Sequence, residues 1–349
     1  MNPANNRSSA FFSVIIPARN EEESISKCIE SIFNNNYPLN LFEIIVVDDY
    51  STDATAKVVL DLQQKYSNLK VIELAEVLHG KKLNSYKKKA IETGIQRSKG
   101  EWIITTDADC IVTKNWLASY NQIIQQQNPV FIAAPVQLIN TGSFVSIFQC
   151  LDFLSLQGVT AASVSAGFHS MCNGANLGYK KTAFYEVNGF AGIDTIASGD
   201  DMLLMHKIQK KFTGKIAYLF SKDAIVETTV MPDWKSFFNQ RIRWASKASN
   251  YQDKKIFFVL LLVYVLNLFL FIMPLVAIFF SFIWLYWLIM LIIKTLVELS
   301  FMLPVAQFYH QKKLLKWFPF MQFPHIVYTV FAGWLGKFGD YNWKGRTVK

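Results

Sequence analysis

Charge is scarce in this chain of 349 residues: Asp, Glu, Lys and Arg make up 17% of it, against 52% hydrophobic residues. That balance excludes an ordinary soluble protein and points to membrane contact. The shortage is local, because the 38 positions from Ile256 to Ile293 hold no charged residue while Met1 to Lys255 alternates like a soluble domain. Cysteine is also sparse. Cys28, Cys110, Cys150 and Cys172 are scattered with no Cys-x-x-Cys pair, which excludes a disulfide framework and a zinc site and suits a reducing compartment. No internal repeat and no low-complexity segment is present, and the polar, Asn-rich start does not read as a signal peptide.

The net charge of +9 is concentrated at one end. Residues 256–349 hold eight Lys or Arg against two acids, whereas residues 1–255 hold 27 against 24. The near balance of the first part argues against a nucleic-acid partner. The basic residues flanking apolar runs (Lys254, Lys255, Lys312, Lys313, Lys316, Lys337) read as cytoplasmic anchors on anionic lipid.

Strand and helix signals alternate from the start. Apolar or β-branched runs at Phe12–Pro17, Glu43–Asp48, Leu69–Leu74, Glu101–Thr106 and Val130–Val136 predict strands, with helices from Glu22 to Phe33, Ala56 to Tyr66 and up to Arg97 between them. Such alternation predicts a doubly wound, mostly parallel α/β sheet with helices on both faces. Further helices are expected over Phe144–Val164, Lys180–Val187 and Asp200–Lys211, a strand over Ile225–Val230, and an amphipathic interfacial helix from Asp233 to Asn250.

Ligands of these sheets bind beyond the carboxyl ends of the strands, where the acidic clusters fall. At a strand end, Asp107 and Asp109 of Asp107-Ala108-Asp109 point the same way, so both carboxylates can face one hard cation such as Mg²⁺ or Mn²⁺. The competing reading is a solvated turn. Asp48 and Asp49 can accept from a base N–H or a ribose hydroxyl, or simply form an Asx-type turn. Pro17, Ala18, Arg19 and Glu21 end the first strand and would wall a nucleotide pocket.

The segments Pro17-Ala18-Arg19-Asn20-Glu21-Glu22, Val46-Val47-Asp48-Asp49-Tyr50-Ser51-Thr52-Asp53, Lys99-Gly100-Glu101-Trp102 and Thr106-Asp107-Ala108-Asp109 together resemble family-2 glycosyltransferases of the GT-A fold. The resemblance covers roughly Phe12 to Asn250. It implies an inverting transferase using a sugar nucleotide, with a UDP-sugar favoured, and a divalent metal held by Asp109 and Asp107. Asp107 would also face the donor nucleotide. The usual glycine of the Asp-Asp-Gly-Ser turn is Tyr50, which restricts the backbone there. By the same register, Lys87 of the Lys87-Lys88-Lys89 run reaches the donor, Tyr86 stands where glycine is usual, and Lys88 or Lys89 is plain surface. Asp201 matches the family's general base and Asp200 replaces its usual Glu; taken alone, the two are also good helix N-cap acids. Asn173 and Gly174 fall in a segment similar to the acceptor-side loop, and no role is assigned to His169. Gln240-Arg241-Ile242-Arg243-Trp244 resembles the Gln-x-x-Arg-Trp motif of membrane-integrated members, where Gln240, Arg243 and Trp244 would serve the diphosphate and acceptor; an interfacial helix carries the same residue types.

The expected organisation is a cytoplasmic catalytic domain (1–230), the interfacial helix (231–255), a transmembrane region (256–336) and a basic cytoplasmic tail (337–349). Two spans, 256–276 and 280–303, are long enough to cross. Lys294 and Glu298, one turn apart, are expected to pair. Pro319 and Pro324 are expected to break the first half of a re-entrant, interfacial or third segment at 317–336. The reading is a glycosyltransferase acting on a lipid or lipid-linked acceptor at the cytoplasmic face of the inner membrane. The alternatives are a processive polysaccharide synthase and a catalytically silent sugar-nucleotide scaffold.

Overall fold

The structure, a computed structural model, describes residues 9–168, 171–196, 198–245, 254–338, 341–343 and 346–348. His169 and residues 246–253, which include the end of the helix expected from Asp233 to Asn250, therefore lie outside the described residues. The chain divides into two compact units, one formed by Met1–Gln137 and Thr160–Thr229, the other by Leu138–Val159 and Val230–Lys349.

The first unit begins β1 (Phe12–Ala18), α1 (Ile25–Phe33), β2 (Phe42–Asp48), α2 (Thr55–Lys65), β3 (Leu69–Glu73), α3 (Leu74–Leu78), α4 (Tyr86–Arg97), β4 (Trp102–Thr105), α5 (Trp116–Gln127), β5 (Phe131–Ala133) and β6 (Val136–Ile139), the last shared with the second unit. After α6 (Phe144–Ser165) it continues with β7 (Leu177–Lys180), α7 (Lys181–Glu186), α8 (Met202–Lys211), β8 (Ile216–Tyr218) and β9 (Val226–Thr229). Seven strands form one sheet in the order β3-β2-β1-β4-β7-β5-β8. Every residue of β2 is buried and β1 is buried at all positions but one, as β-branched runs covered by helices on both faces require.

Within the seven-stranded sheet, β7 and β8 escape the sequence pattern. The antiparallel β7 inserts between β4 and β5, so the sheet is mostly rather than wholly parallel. Its four residues are interrupted by Gly178, where a Cβ would meet Tyr120 at 2.7 Å and Ile104 at 2.9 Å; only glycine fits, and glycine hides a strand signal. The run expected as one strand from Val130 to Val136 is split into β5 and β6, with Ala134 and Pro135 between them, because proline has no N–H for the ladder.

In the second unit, α9 (Trp234–Ala245) is followed by α10 (Lys254–Ala277), α11 (Ile283–Phe308), α12 (Phe318–Phe338) and a terminal hairpin of β10 (Tyr341–Trp343) and β11 (Arg346–Val348). Among the described residues, three helices are long and apolar enough to cross a membrane: Phe144–Ser165, Ile256–Ala277 and Ile283–Phe308. The first is mostly buried within the protein, whereas the other two expose most of their length. The turn between them lies just beyond Pro274, which stays inside α10. The expected break at Pro319 and Pro324 does not occur. Pro319 sits in the first turn of α12, where its missing N–H costs nothing, and the helix runs on through Pro324. Lys294 pairs with Glu298 at 2.8 Å and donates to Gln322 Oε1 at 2.5 Å, while Gln322 Nε2 donates to Glu298 at 2.8 Å. That closed network ties α11 to α12.

Candidate active site

The carboxyl ends of β1 and β2 are built as a rim. β1 is flanked by β4 only as far as Ile15, so Pro17 falls where no ladder donor is needed on that side. Asp49 N–H donates to Ala18 O at 2.7 Å, and Arg19 Nη1 donates to the carbonyls of Asp49 at 2.7 Å and Tyr50 at 2.9 Å. Tyr50 adopts the left-handed conformation expected of the glycine it replaces, with φ +55°. Such a residue costs about 1 kcal/mol or more, and the Arg19 clamp helps hold it. Its ring meets Tyr86, the second tyrosine at a glycine position, edge-on at 5.9 Å. Glu21 faces its own helix start, accepting from Ser24 Oγ at 2.9 Å.

Asp48 is 6% exposed. Its Oδ2 accepts from Ser51 N–H at 3.1 Å, while its buried Oδ1 has no hydrogen-bond partner. A buried carboxylate oxygen without a donor is costly, so this atom is poised to accept from a ligand N–H or O–H.

The centre of the site is Lys87, in the first turn of α4. Its Nζ lies 2.7 Å from Asp107 Oδ1 and 3.4 Å from Asp200 Oδ2. Burial alone would drive the ammonium toward the neutral form, but Asp107, Asp200 and Asp201 outweigh it and hold its pKa above the ordinary lysine value. Asp201 caps α8, its Oδ1 accepting from Met202 N–H at 2.7 Å, while its Oδ2 accepts from Gly174 N–H at 3.3 Å. A Cβ at Gly174 would sit 3.0 Å from Asp200 Oδ2 and 3.6 Å from Lys87 Nζ, so the absence of a side chain is what lets the backbone approach the acids. Asn173 faces its own loop, Oδ1 accepting from Ala175 N–H at 3.0 Å.

Asp107 and Asp109 differ in detail from their expected geometry. β4 stops at Thr105 and the acids lie in a turn closed by Cys110 N–H donating to Asp107 O at 3.2 Å. Ala108 is buried between them while both acids remain partly exposed, and their carboxylates meet different partners, Asp107 Oδ1 meeting Lys87 Nζ at 2.7 Å. Thr228 Oγ1 donates to Asp109 Oδ2 at 3.1 Å. Burial pushes the Cys28 thiol pKa up, and Asp109 and Asp107 push it further, placing both carboxylates in the field of one buried sulfur. Among the described residues no three His, Cys, Asp or Glu side chains surround a single point. One or two carboxylates suffice for Mg²⁺ or Mn²⁺ when phosphate oxygens complete the shell, and Asp107 and Asp109 fit that donor set.

In the second unit, Gln240, Arg243 and Trp244 lie on α9 as expected, but the strongest contacts belong to Arg241. It is 5% exposed and donates through Nε and Nη2 to Asp152 Oδ2 at 3.0 and 2.6 Å. Its guanidinium lies 4.6 Å from the ring of Phe237 and 4.2 Å from that of Trp244. Gln240 Oε1 accepts from Arg241 Nη1 at 3.0 Å, and Tyr328 O–H donates to Asp152 Oδ1 at 2.5 Å. Sequence reasoning missed Asp152 and Arg241, since an acid inside an apolar helix was the only signal.

Comparison with known proteins agrees with this architecture. The description Glycosyl transferase family 2 matches residues 13–184, and Glycosyl transferase family group 2 matches residues 102–309. The chain belongs to the family-2 glycosyl transferases. It is 35% identical over 107 residues to glycosyltransferase AglE of Haloferax volcanii, covering 31% of this chain and 33% of that protein. It is 33% identical over 123 residues to a dolichyl N-acetyl-α-D-glucosaminyl phosphate 3-β-D-2,3-diacetamido-2,3-dideoxy-β-D-glucuronosyltransferase of Methanococcus voltae, covering 34% and 36%. The matches thus span about a third of these relatives' length. In fold, it is similar to the mannosyltransferase PcManGT of Pyrobaculum calidifontis, solved with GDP-Man and Mn²⁺, at TM-score 0.58 and 19% identity over 95% of this chain and 88% of that one.

Proposed function

We propose that the protein transfers a sugar, with inversion, from a nucleotide carrier to a hydroxyl of a lipid or lipid-linked acceptor at the cytoplasmic face of the inner membrane. The observation that carries this reading is the convergence of Asp107, Asp200 and Asp201 on Lys87 at the carboxyl edge of the sheet. Asp48, with its unpartnered buried Oδ1, Asp49, Pro17, Ala18, Arg19 and Glu21 form the nucleoside side, where a uridine nucleotide is favoured. Lys87 and Asp107 bring the site to the donor phosphates. A divalent ion held by Asp107 and Asp109 would supply charge neutralisation to the departing diphosphate.

Asp201 takes the proton of the acceptor hydroxyl. The acceptor oxygen bonds to the anomeric carbon on the face opposite the diphosphate, the old carbon–oxygen bond breaks, and the nucleoside diphosphate leaves with that electron pair. One base and no carboxylate nucleophile gives inversion. Asp200, paired with Lys87 at 3.4 Å, takes the place of the usual Glu beside the base. Gln240, Arg243 and Trp244 are assigned by resemblance to diphosphate and acceptor, with Asn173 and Gly174 on the acceptor side. The two exposed apolar helices and their basic flanks support the membrane location, and the name of the Methanococcus voltae relative supports a lipid-linked acceptor.

The test incubates purified full-length protein with UDP- and GDP-sugars and native lipid extract, with and without chelator, and identifies products by mass. A single sugar added to a lipid, dependent on metal, is expected. A ladder of additions would favour a processive synthase, and no nucleoside diphosphate release from any donor would sink the proposal.

A further inference from the structure

Three consecutive lysines open α4, and each meets a different environment. Lys87 touches the acids described above. Lys89 is paired with Glu92 at 2.7 Å on a partly exposed helix face. Lys88 is 2% exposed, and its Nζ donates to three backbone carbonyls, Ile193 O and Ile196 O at 2.6 Å and Ser198 O at 2.8 Å. An ammonium has three donors and no acceptor, so three carbonyls saturate it, and only a saturated cation can be buried at tolerable cost.

Those carbonyls immediately precede Gly199-Asp200-Asp201. Gly199 takes φ +82°, and a Cβ there would meet Leu203 at 2.8 Å, so the turn leaves little room for adjustment. The acid pair is thus strung between two fixed points: the Ser198 carbonyl on Lys88, and the Met202 amide on Asp201 Oδ1 at 2.7 Å.

We propose that Lys88 is a positioning residue for the acid pair: its buried ammonium sets the segment from which Asp200 and Asp201 project, so that Asp201 stands at the acceptor hydroxyl. This rests on the proposed transferase activity. The helix that presents Lys87 to the donor side thereby also fixes the acids of the acceptor side, coupling the two halves of the reaction through adjacent residues. Removing the ammonium takes the donor from all three carbonyls and frees the segment, while Lys87 and the nucleotide pocket stay in place. A misplacement of about 1 Å in a reacting group costs up to roughly 10²-fold in rate.

The experiment compares full-length wild type, Lys88→Met, Lys88→Arg and Lys89→Met in detergent. It measures hydrogen exchange of peptides within residues 190–205, and kcat and donor KM with the donor and acceptor found active in the panel above. Lys88→Met is expected to raise exchange there and to lower kcat about 10²-fold with donor KM within about twofold. Lys88→Arg should recover part of both, and Lys89→Met should match wild type. Wild-type protection in Lys88→Met, or a rise in KM as large as the fall in kcat, overturns the proposal. Should Lys88→Met fail to fold, Lys88→Gln, which keeps two donors, is expected to show the same split in smaller measure, and wild-type kcat and protection in that variant overturn it. If wild type transfers no sugar at all, the transferase reading falls, and the exchange measurement still decides whether Lys88 holds the segment.

Discussion

The two units place their ionic groups in opposite settings. In the first, Lys87 and Asp107 sit on a strand-end rim with 23% and 34% of their side chains exposed. In the second, Arg241 and Asp152 are sealed at 4% and 1%, and Lys294 at 5% lies in a network closed by Glu298 and Gln322. A rim of partly exposed charges can exchange its partners for those of a ligand, which is what a site must do. A sealed pair exchanges nothing; its loss leaves a buried charge uncompensated. The same chemical groups therefore predict different consequences of mutation, activity where they line the rim and stability where they are sealed.

The largest effect is expected at Asp201. Asp201→Asn keeps an acceptor for the Met202 amide and thus the α8 cap, but cannot take a proton. Transfer should fall by about 10²–10⁴-fold, while binding of UDP, measured by calorimetry with Mn²⁺, and the melting temperature stay near wild type. Near-normal turnover would remove Asp201 from the mechanism and erase the contrast between the units.

The sealed pair should behave the other way. Asp152→Ala leaves the Arg241 guanidinium buried without its carboxylate and Tyr328 without its acceptor, and breaking such a pair costs about 3–5 kcal/mol. Thermal unfolding in detergent should show that loss; a melting temperature equal to wild type would show that the pair is not what fixes α9 to α6.

In the first unit β1, β2 and β4 were legible because they are β-branched or apolar runs buried on both faces, with Asp48 ending β2 and Asp107 and Asp109 following β4 in a turn. What was not legible has particular causes. β7 hides behind Gly178, whose selection reflects Tyr120 of α5 and Ile104 of the paired β4 rather than its own chain neighbours. Lys87, Lys88 and Lys89 are one letter repeated, and only tertiary packing sends them to the site, the cage and the surface. Asn176, 0% exposed, anchors the loop that follows Asn173 and Gly174, accepting from Trp116 and Tyr120 and donating to the carbonyls of Pro135 and Ala224. The prolines of α12 misled because Pro319 falls in the first turn, where no N–H is needed, and the helix runs on through Pro324.

Glu43 sharpens the comparison, since it is a sealed acid inside the first unit, at the end of β2 opposite the rim. Its carboxylate accepts from Ser13 Oγ, Lys70 Nζ and the Lys99 amide. Burial would raise its pKa, but these donors outweigh it and lower it beneath the ordinary value of 4.5. With a folded pKa below the unfolded one, the unfolded chain binds more protons near that pH, so stability rises with pH there. The contribution is present above about 4.5 and is lost as pH falls through the depressed folded value. Glu43→Gln should therefore cost about 1 kcal/mol at neutral pH, flatten the acid limb of the stability curve and leave sugar transfer unchanged. If it lowered kcat without lowering stability, solvent exposure would not be the property that separates ionic groups that act from those that hold.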